Sequence, residues 1–528
     1  MSHEIQMEGE MNRRQFLELS MIAARPGTIL QSPEPAADSS GGLLTAGFAE
    51  RDVTPRIGME QPGGYGKAYL REFHDPCKVR AAVFDDGRKR VALVSVDALI
   101  VPRHVVLAAR DGILSRCGVP PEAVMIGASH SHSSGPVGMV QPGEYDHASP
   151  VVQRLAYELS SMADPGYLEL VQNEIVNAVC QADVARAPSL CSFGAGHEDK
   201  VAFNRRFRMR NGRTWTHPGQ GNPDILEPAG PIDPTVGVLG CWDANGKLKG
   251  CLVNYACHAT TSPDGISANW IYYLETTIRG VMGQGAVVVF LQGFSGDVTQ
   301  VDNRSPHKYP TGDGYARFVG GSVGAEVVKV LLSATPGASV PVEARHQVLH
   351  LDRRTPGAAR LKRCLELVQE DPKSVSVTEW IFAKEIVMLD AQLAKARQLE
   401  AEIQAIQVGP VLAVSTPGEM FCQLGLDLRA ASPFKLTFPV ELANGCVGYV
   451  PTEEALGPGG GGYETRLTSY SSIEPKGGGK MVEAGVALAK QFTPGRLPEP
   501  PKPEPFTPDA TGIGSHPWSY GNVPPELS

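Results

Sequence analysis

Two histidines stand at alternate positions in a loop of small polar residues. The loop reads Ser129-His130-Ser131-His132-Ser133-Ser134-Gly135-Pro136, and it follows the apolar run 123–128. A short apolar run that ends in small polar residues predicts a buried strand leading into a loop. Alternate residues of an extended chain point to the same side, so both imidazoles could face one cavity. Neutral imidazole binds zinc and related metals, and the spacing therefore favours a metal site, although two histidines of a polar surface loop give the same pattern.

Four further apolar runs end in residues of similar chemistry. Asp97 follows the run 90–96, and His258 follows the run 248–256. Asp297 and Thr299 come after the run 286–291, and Glu419 comes after the run 411–415. Ligands of open α/β sheets bind beyond the carboxyl ends of strands, so these five strand ends together predict one site. Taken singly, each residue also has a structural interpretation, as a core histidine, a helix-capping aspartate or a glutamate in the first turn of a helix.

Two histidines and a carboxylate form a ligand set of catalytic zinc, which keeps an open position for water. Zinc lowers the pKa of that water toward ~7 and polarises a carbonyl group. Spare histidine, arginine or tyrosine side chains nearby could hold an oxyanion. The residue types therefore indicate a metal-dependent hydrolase, and they do not name its substrate.

The elements that must position these residues predict an α/β protein. We expect mixed β-sheets flanked by helices, with the zinc site at the C-terminal ends of buried strands. Beyond the runs above, strands are predicted over 45–55, 79–84, 189–194, 237–242 and 435–440. Helices are predicted over 105–115, 158–162, 167–184, 273–282, 315–332 and 481–491, with the longest over 377–407 and another opened by Glu419.

Composition narrows the class of protein. The chain has 528 residues, of which 42% are hydrophobic and 20% charged, and no apolar run approaches the ~18 residues that a transmembrane helix needs. The net charge of −9 argues against nucleic acid as a partner. Ten cysteines occur without a C-x-x-C pair and mostly inside apolar segments, which favours reduced core thiols and leaves disulfides open.

The chain divides into three parts. Residues 1–43 hold Arg13-Arg14-Gln15-Phe16-Leu17 before a modest apolar stretch and a Pro/Ser-rich linker, which resembles a twin-arginine export signal. A mildly helical, disordered tail is the alternative. An export signal predicts a periplasmic or secreted protein, and its failure would leave the protein cytoplasmic. Residues 44–493 form the predicted catalytic domain, and 494–528 form a Pro-rich tail.

Several segments, taken in order and at their spacing, match one known family. They are Ala46-Gly47-Phe48, Asp52-Val53-Thr54-Pro55, the loop 129–136, Asn204-Arg205, the strand ending in His258, Gly296-Asp297-Val298-Thr299, Pro417-Gly418-Glu419, Gly448-Tyr449-Val450 and Tyr463-Glu464. From about residue 46 to about residue 486 the chain thus resembles the catalytic domain of the neutral/alkaline non-lysosomal ceramidases. Those enzymes are zinc amidases that cleave the N-acyl bond of ceramide.

The resemblance implies a role for each matched residue. It implies that one zinc ion is ligated by His130, His258, Glu419 and Tyr449. It further implies that the pocket is lined by His132, Arg205 and Tyr463, which would stabilise the oxyanion or hold substrate hydroxyls. Asp97 and Asp297 would then orient the site from behind the ligands.

The chain departs from the family at three points. Thr299 stands where the family has a serine that contacts the scissile amide, so a hydroxyl is kept but a methyl group is added. Gly66-Lys67 follow Gly64-Tyr65, where the family has an acidic residue that binds the ceramide headgroup. The family's C-terminal immunoglobulin-like domain is not expected after residue 486.

These inferences predict a zinc-dependent amidase that acts on an N-acyl bond, with a ceramide-like lipid as the first candidate substrate. The alternatives are a zinc hydrolase of a smaller amide, ester or lactone, and a non-catalytic exported metal-binding protein on the same scaffold. The expected partner is a small-molecule or lipid N-acyl substrate, with no nucleic acid and no transmembrane segment. Peripheral membrane contact, oligomeric state and additional Ca²⁺ or Mg²⁺ stay open.

Overall fold

The computed structural model of the protein describes residues 44–308, 312–503 and 505. The predicted export signal over 1–43 and most of the predicted tail lie outside the described residues. The strands are β1 Thr45–Asp52, β2 Lys78–Asp85, β3 Arg90–Val96, β4 Val124–Ala128, β5 Ala187–Pro188, β6 Leu190–His197, β7 Phe203–Asn204, β8 Arg206–Met209, β9 Thr214–Thr216, β10 Ile225–Pro228, β11 Thr235–Trp242, β12 Leu248–Tyr255, β13 Val287–Gln292, β14 Val298–Thr299, β15 Val342–Asp352, β16 Gln398–Val408, β17 Val411–Ser415, β18 Glu419–Met420, β19 Leu436–Val440 and β20 Tyr449–Val450.

The helices surround these strands. They are α1 Arg103–Cys117, α2 Pro150–Tyr157, α3 Pro165–Val184, α4 Trp270–Met282, α5 Asp313–Ser333, α6 Ala358–Leu367, α7 Val377–Lys395, α8 Cys422–Ala431, α9 Glu453–Leu456 and α10 Gly477–Ala489. Local sequence explains where several of them begin. In α3, for example, Pro165 occupies the first turn and the Asp164 carboxylate accepts a hydrogen bond from the Tyr167 amide at 2.8 Å.

Three larger sheets carry the fold, in the strand orders β4-β3-β2-β1-β5, β13-β12-β11-β6 and β15-β16-β17-β19. Each contains one parallel pair among antiparallel neighbours, namely β3 with β4, β12 with β13, and β17 with β19. Parallel strands end at the same edge of a sheet, so each sheet offers one edge at which two strand ends meet. The structure confirms the predicted class of mixed sheets flanked by helices.

The three sheets share one apolar core, to which Val94, Leu291 and Val440 contribute from one sheet each. Helices cover the other faces. Helices α4 and α5 pack on the second sheet, and α8 and α10 pack on the third. Side chains of α1 and α3 belong to the core around the first sheet. The strand ends are therefore held rigidly relative to one another by a single buried core.

The longest predicted helix, over 377–407, is wrong in its second half. Helix α7 ends at Lys395, and the chain then forms β16, which pairs with β15 and β17. The segment is rich in Ala, Glu and Gln, which favour helices, but from residue 399 apolar and polar residues alternate with the period of a strand. Pairing on both sides outweighs helix propensity here.

Two shorter predictions also need correction. The helix expected over 158–162 lies instead at Pro150–Tyr157, where Ser149 and Pro150 supply a start signal. Glu419 does not open a helix, because Glu419–Met420 pair in parallel with Tyr449–Val450 and α8 begins only at Cys422.

Within the described ranges, no helix is both long and apolar enough to cross a bilayer. All ten cysteines are free thiols.

Candidate functional site

Strand ends of all three sheets deliver the candidate metal ligands. His130 follows β4, His258 follows β12, and Glu419 follows β17 by four positions. A backbone bridge between Ser131 and Ala259 joins the two histidine loops directly. The predicted convergence of these strand ends on one place is therefore what the structure contains.

His130 reaches the site by a route that simple alternation does not describe. Its backbone has φ of 61°, in the left-handed region that non-glycine residues seldom occupy. Such a conformation costs on the order of 1–3 kcal/mol and persists where surrounding structure enforces it. The turn still brings the rings together, with centroids 4.8 Å apart for His130 and His132 and 4.6 Å apart for His130 and His258.

Main-chain carbonyls fix the tautomers of the two buried histidines. The Nδ1 of His130 donates to the Leu99 carbonyl at 2.9 Å, and the Nδ1 of His258 donates to the Ser295 carbonyl at 2.8 Å. A carbonyl oxygen can only accept, so each Nδ1 carries the proton of a neutral ring. Each Nε2 is then left with a lone pair, which is the form that ligates a metal.

These lone pairs face one another. The Nε2 atoms of His130 and His258 lie 3.2 Å apart, and Glu419 Oε2 lies 3.3 Å from each of them. Glu419 Oε2 is buried and has no hydrogen-bond donor among the described residues. Three acceptor atoms held this close without a shared proton repel each other unless a cation lies between them. The donor set therefore fits a metal ion.

His132 extends the group. Its Nε2 lies 3.3 Å from His130 Nε2, and the ligand atoms of His130, His132 and His258 all fall within 4.8 Å of one another. Burial lowers the pKa of His132 well below its ordinary value, and the neighbouring imidazoles lower it further. Burial likewise lowers the pKa of His258 to about 3, with Arg205 and His130 adding to the effect. Both rings are thus neutral near pH 7, as metal ligation requires.

A network of one guanidinium and two phenols borders the carboxylate. Parallel pairing of β18 with β20 places Tyr449 beside Glu419. Arg205 donates from Nη2 to the Tyr449 hydroxyl at 3.1 Å, and that hydroxyl lies 2.7 Å from the hydroxyl of Tyr463. The structure thus brings together Tyr449, Arg205 and Tyr463, three residues that only the family resemblance singled out.

Glu464 holds this network, although it was not among the predicted site residues. Its Oε1 accepts from Arg205 Nε at 2.7 Å, and its Oε2 accepts from the Thr216 hydroxyl at 2.6 Å. Arg205 Nη2 also donates to the Gly296 carbonyl at 2.8 Å. Glu464 directly follows Tyr463 in the sequence, and this position was the signal that could have identified it.

Glu441 is a second residue that sequence reasoning missed. Its carboxylate accepts from the Ser295 hydroxyl at 2.7 Å and from the Met420 amide at 2.8 Å. Glu441 thus links Ser295, whose carbonyl orients His258, to strand β18, which carries Glu419. Burial raises its pKa well above the ordinary value. Because Glu441 directly follows the predicted strand 435–440, the same strand-end rule could have found it.

The side chains of the three remaining predicted residues form their hydrogen bonds with groups other than the histidine rings. Asp297 accepts from the Cys422 amide and from Asn204 Nδ2, both at 2.9 Å, and its carbonyl accepts from the Arg205 amide. Asp297 therefore fixes the backbone around Arg205. Asp97 instead accepts from Arg80 Nη1 at 2.7 Å, within a buried ion-pair group. The Thr299 hydroxyl donates to Gln300 Oε1 at 3.0 Å and lies 3.5 Å from the Thr260 hydroxyl.

A cavity of about 50 Å³ adjoins the histidines. It is lined by Gly63, Gly64, Tyr65, Leu99, His130, His132, Met139, Glu419, Tyr449, Tyr463 and Tyr470. Gly63 has φ of 103°, and a Cβ there would lie 2.3 Å from His132 Nδ1. Only glycine permits this close approach. Lys67 does not line the cavity, because its ammonium pairs with Glu60 at 2.8 Å.

The chain is similar to known proteins over one segment in sequence and over most of its length in fold. No family model matches the chain. A 199-residue segment is 26% identical to a neutral ceramidase of Pseudomonas aeruginosa, and the match covers 35% of this chain and about a quarter, 26%, of that protein. A solved ceramidase complexed with C2 matches 87% of this chain and 77% of its own, with a TM-score of 0.60 and 18% identity. The crystal structure of the Pseudomonas aeruginosa neutral ceramidase matches 87% of this chain and 76% of its own, with a TM-score of 0.61 and 20% identity. The chain therefore has the fold of these ceramidases, and one segment of it is similar in sequence to the Pseudomonas aeruginosa enzyme.

Proposed function

We propose that the protein is a zinc-dependent amidase that hydrolyses an N-acyl bond, with a ceramide-like lipid as its first candidate substrate. The observation that carries the proposal is the meeting of His130 Nε2, His258 Nε2 and Glu419 Oε2 within 3.3 Å, with no proton to share. The similarity to neutral ceramidases supports the reaction class, because those proteins are named for this activity.

The metal would be held by His130, His258, Glu419 and Tyr449. When bound there, zinc supplies a Lewis acid for the amide carbonyl and lowers the pKa of water toward ~7. The carbonyls of Leu99 and Ser295 keep the two imidazoles in the ligating tautomer.

The neighbouring side chains would serve the substrate. His132 borders the cavity as a neutral ring and can exchange a proton with the amide nitrogen at Nε2. Arg205 keeps a positive charge next to the Tyr449 and Tyr463 hydroxyls, where an oxyanion would form. Glu464 holds Arg205 in this orientation before any substrate arrives. Thr299 remains a predicted substrate contact that would act from outside the cavity lining.

A second candidate function is hydrolysis of a smaller amide, ester or lactone. The cavity at the histidines measures about 50 Å³, whereas pockets for drug-sized ligands span roughly 300–1,000 Å³. Only the reacting group and its immediate neighbours fit in that volume. A long-chain lipid would have to extend beyond Met139 and Tyr470 or displace the loop at Gly63 and Tyr65.

Metal analysis combined with a substrate series tests the proposal. Purified full-length protein is loaded with zinc, and amides of one head group and graded acyl length are assayed for fatty-acid release. We expect one zinc per chain and turnover of at least one amide, both abolished in His130→Ala and His258→Ala. His346→Ala, which removes an exposed histidine of β15, serves as the matched control. Full activity without stoichiometric metal contradicts the proposal, and bound zinc without any turnover favours a non-catalytic metal-binding protein.

Export is a separate part of the proposal, and it depends on the twin-arginine-like segment. Expression of the full chain in a bacterial host with and without the Arg13→Lys/Arg14→Lys double substitution tests it by fractionation. Periplasmic accumulation that the substitution abolishes supports export, and equal cytoplasmic retention of both proteins contradicts it.

A further inference from the structure

A larger cavity lies next to the histidine site. It measures about 490 Å³, and Met139 and Tyr470 line both this cavity and the one at the histidines. The ring of Tyr470 packs against Tyr449 at a centroid distance of 5.7 Å, and its carbonyl accepts from the Tyr449 amide at 2.8 Å. A molecule that reacts at the histidines can therefore extend into this second cavity past two side chains, one of them a flexible thioether.

The wall of the second cavity is rich in cations. Arg103 from the start of α1, Arg353 after β15, and Lys395 at the end of α7 all line it. Glu144 is the one carboxylate among the residues that line the cavity. The protein as a whole carries a net charge of −9, so this wall is opposite in sign to the molecule.

Existing contacts leave much of this charge without compensation. Arg103 pairs with Glu402, but Arg110 contacts the same carboxylate at 2.8 Å, so one glutamate serves two guanidiniums. Arg353 donates to the Ser472 hydroxyl at 3.2 Å and to the Gln392 side-chain carbonyl, both neutral acceptors. Neither Arg353 nor Lys395 forms an ion pair with any described residue.

Glu144 is already engaged by neutral donors. Its Oε1 accepts from Gln392 Nε2 at 2.7 Å, and its Oε2 accepts from the Gln141 amide at 2.9 Å. Burial raises the pKa of Glu144, and the nearby Arg353 and Lys395 lower it only in part. Burial also lowers the pKa of Arg353, against the smaller opposing effect of Glu144. A half-buried guanidinium with free capacity is a site for a carboxylate or a phosphate.

We infer that this cavity binds the anionic group of the substrate, and that the amide cleaved at the histidines carries a carboxylate or phosphate on one side of its scissile bond. The inference rests on the proposed amidase function and narrows its substrate class. Among ceramide-like N-acyl lipids, it selects those that carry an acidic group.

Three N-acyl probes with one dodecanoyl chain test the inference. N-dodecanoylglycine carries a carboxylate, N-dodecanoyl phosphoethanolamine carries a phosphate, and N-dodecanoylethanolamine is neutral. Their binding to the full-length protein is measured by calorimetry below their critical micelle concentrations, and their hydrolysis by the zinc-loaded protein is measured separately. We expect at least one anionic probe to bind at least tenfold more tightly than the neutral probe. The anionic probe that binds more tightly shows whether the cavity prefers a carboxylate or a phosphate.

Variants locate the effect in the cavity. Lys395→Gln removes an exposed cation that makes no ion pair, so it leaves folding intact, and Arg353→Gln removes the half-buried one. Each should weaken binding of the preferred anionic probe about fivefold to tenfold, and binding of the neutral probe less than twofold. Lys435→Gln, an exposed lysine elsewhere, controls for the loss of one positive charge.

Two outcomes overturn the inference: equal binding of charged and neutral probes, or an anion preference that both cavity variants retain. Tight binding of an anionic probe without hydrolysis of any probe would instead refute the amidase function and leave the anion site standing. The binding measurement thus tests the anion site, and the hydrolysis measurement separately tests the amidase function.

Discussion

His130 and His258 meet through their Nε2 atoms at 3.2 Å, while each ring donates its Nδ1 proton to a main-chain carbonyl. Neither ring can donate to the other in its neutral form, and Glu419 brings a negative charge to the same point. The folded chain therefore holds an arrangement that a cation stabilises.

Removal of the metal should lower stability measurably. A ligand that binds only the folded state stabilises it by RT ln(1 + [L]/Kd), about 4 kcal/mol at a thousandfold excess over Kd. We expect a chelator to lower the melting temperature in differential scanning calorimetry, and zinc to restore it. In His258→Ala the chelator should cause little shift, and an equal shift in that variant would place the stabilising metal elsewhere.

Gly63→Ala should damage catalysis without emptying the metal site. The added Cβ would lie 2.3 Å from His132 Nδ1, and the backbone φ of 103° disfavours alanine. We expect kcat/KM to fall by at least about tenfold, because displaced catalytic groups lose much of their effect. Gly66→Ala is the matched control in the same loop, since nothing lies within 4 Å of a Cβ there. Loss of zinc from Gly63→Ala, measured by elemental analysis, would show that Gly63 also supports the metal site, and would contradict an effect on His132 alone.

Glu464→Gln should lower turnover while it preserves zinc. The substitution keeps an oxygen for Arg205 but removes the charge that orients the guanidinium at 2.7 Å. Misplaced electrostatic groups at an oxyanion cost about 10²-fold in rate, and we expect a loss of kcat of that order with KM less affected. Glu454→Gln changes an exposed glutamate of α9 and should leave both constants unchanged. An unaltered kcat in Glu464→Gln would contradict a role of Arg205 in the reaction.

Glu275 should contribute to stability in a pH-dependent way. Although burial disfavours its charge, Arg80, Lys78 and Arg279 hold its pKa at about 2, below the ordinary value of 4.5. A lowered folded-state pKa gives stability that is fully present above about pH 4.5 and is lost as the pH falls toward about 2. Glu275→Gln should therefore cost about 3 kcal/mol in urea unfolding at pH 7.

The free energies of unfolding of wild type and Glu275→Gln are compared again at pH 3. There the difference between wild type and Glu275→Gln should be clearly smaller, because the unfolded carboxyl is already protonated. Glu169→Gln, on the exposed face of α3, should change stability by less than about 0.5 kcal/mol at both pH values. A cost that does not depend on pH would show that packing, and not charge, is lost in Glu275→Gln.

Sequence reasoning identified the candidate ligands that stand at strand ends. His130, His258 and Glu419 each follow an apolar run, and apolar patterning is a local property that the sequence displays directly. Tyr449 and Arg205 follow no such rule, because they reach the site through the β18–β20 pairing and a long-range hydrogen bond to Glu464. Family resemblance suggested them, and patterning could not.

The errors in the fold have physical causes of the same kind. The composition of β16 favours a helix, and β15, one of its two pairing partners, is distant in sequence and was not predicted as a strand. The left-handed backbone of His130 likewise has no local signal in the sequence. Glu441 and Glu464 were overlooked because buried carboxylates that hold other groups look like surface residues in sequence.

The most direct measurement is a crystal structure of zinc-loaded protein with anomalous data collected at the zinc edge. We predict one anomalous peak bound by His130 Nε2, His258 Nε2, a carboxylate oxygen of Glu419 and the Tyr449 hydroxyl, with Zn–N distances of ~2.0–2.1 Å. A stoichiometric zinc peak elsewhere, or no peak between these side chains in protein shown to contain zinc, would contradict the proposed metal centre.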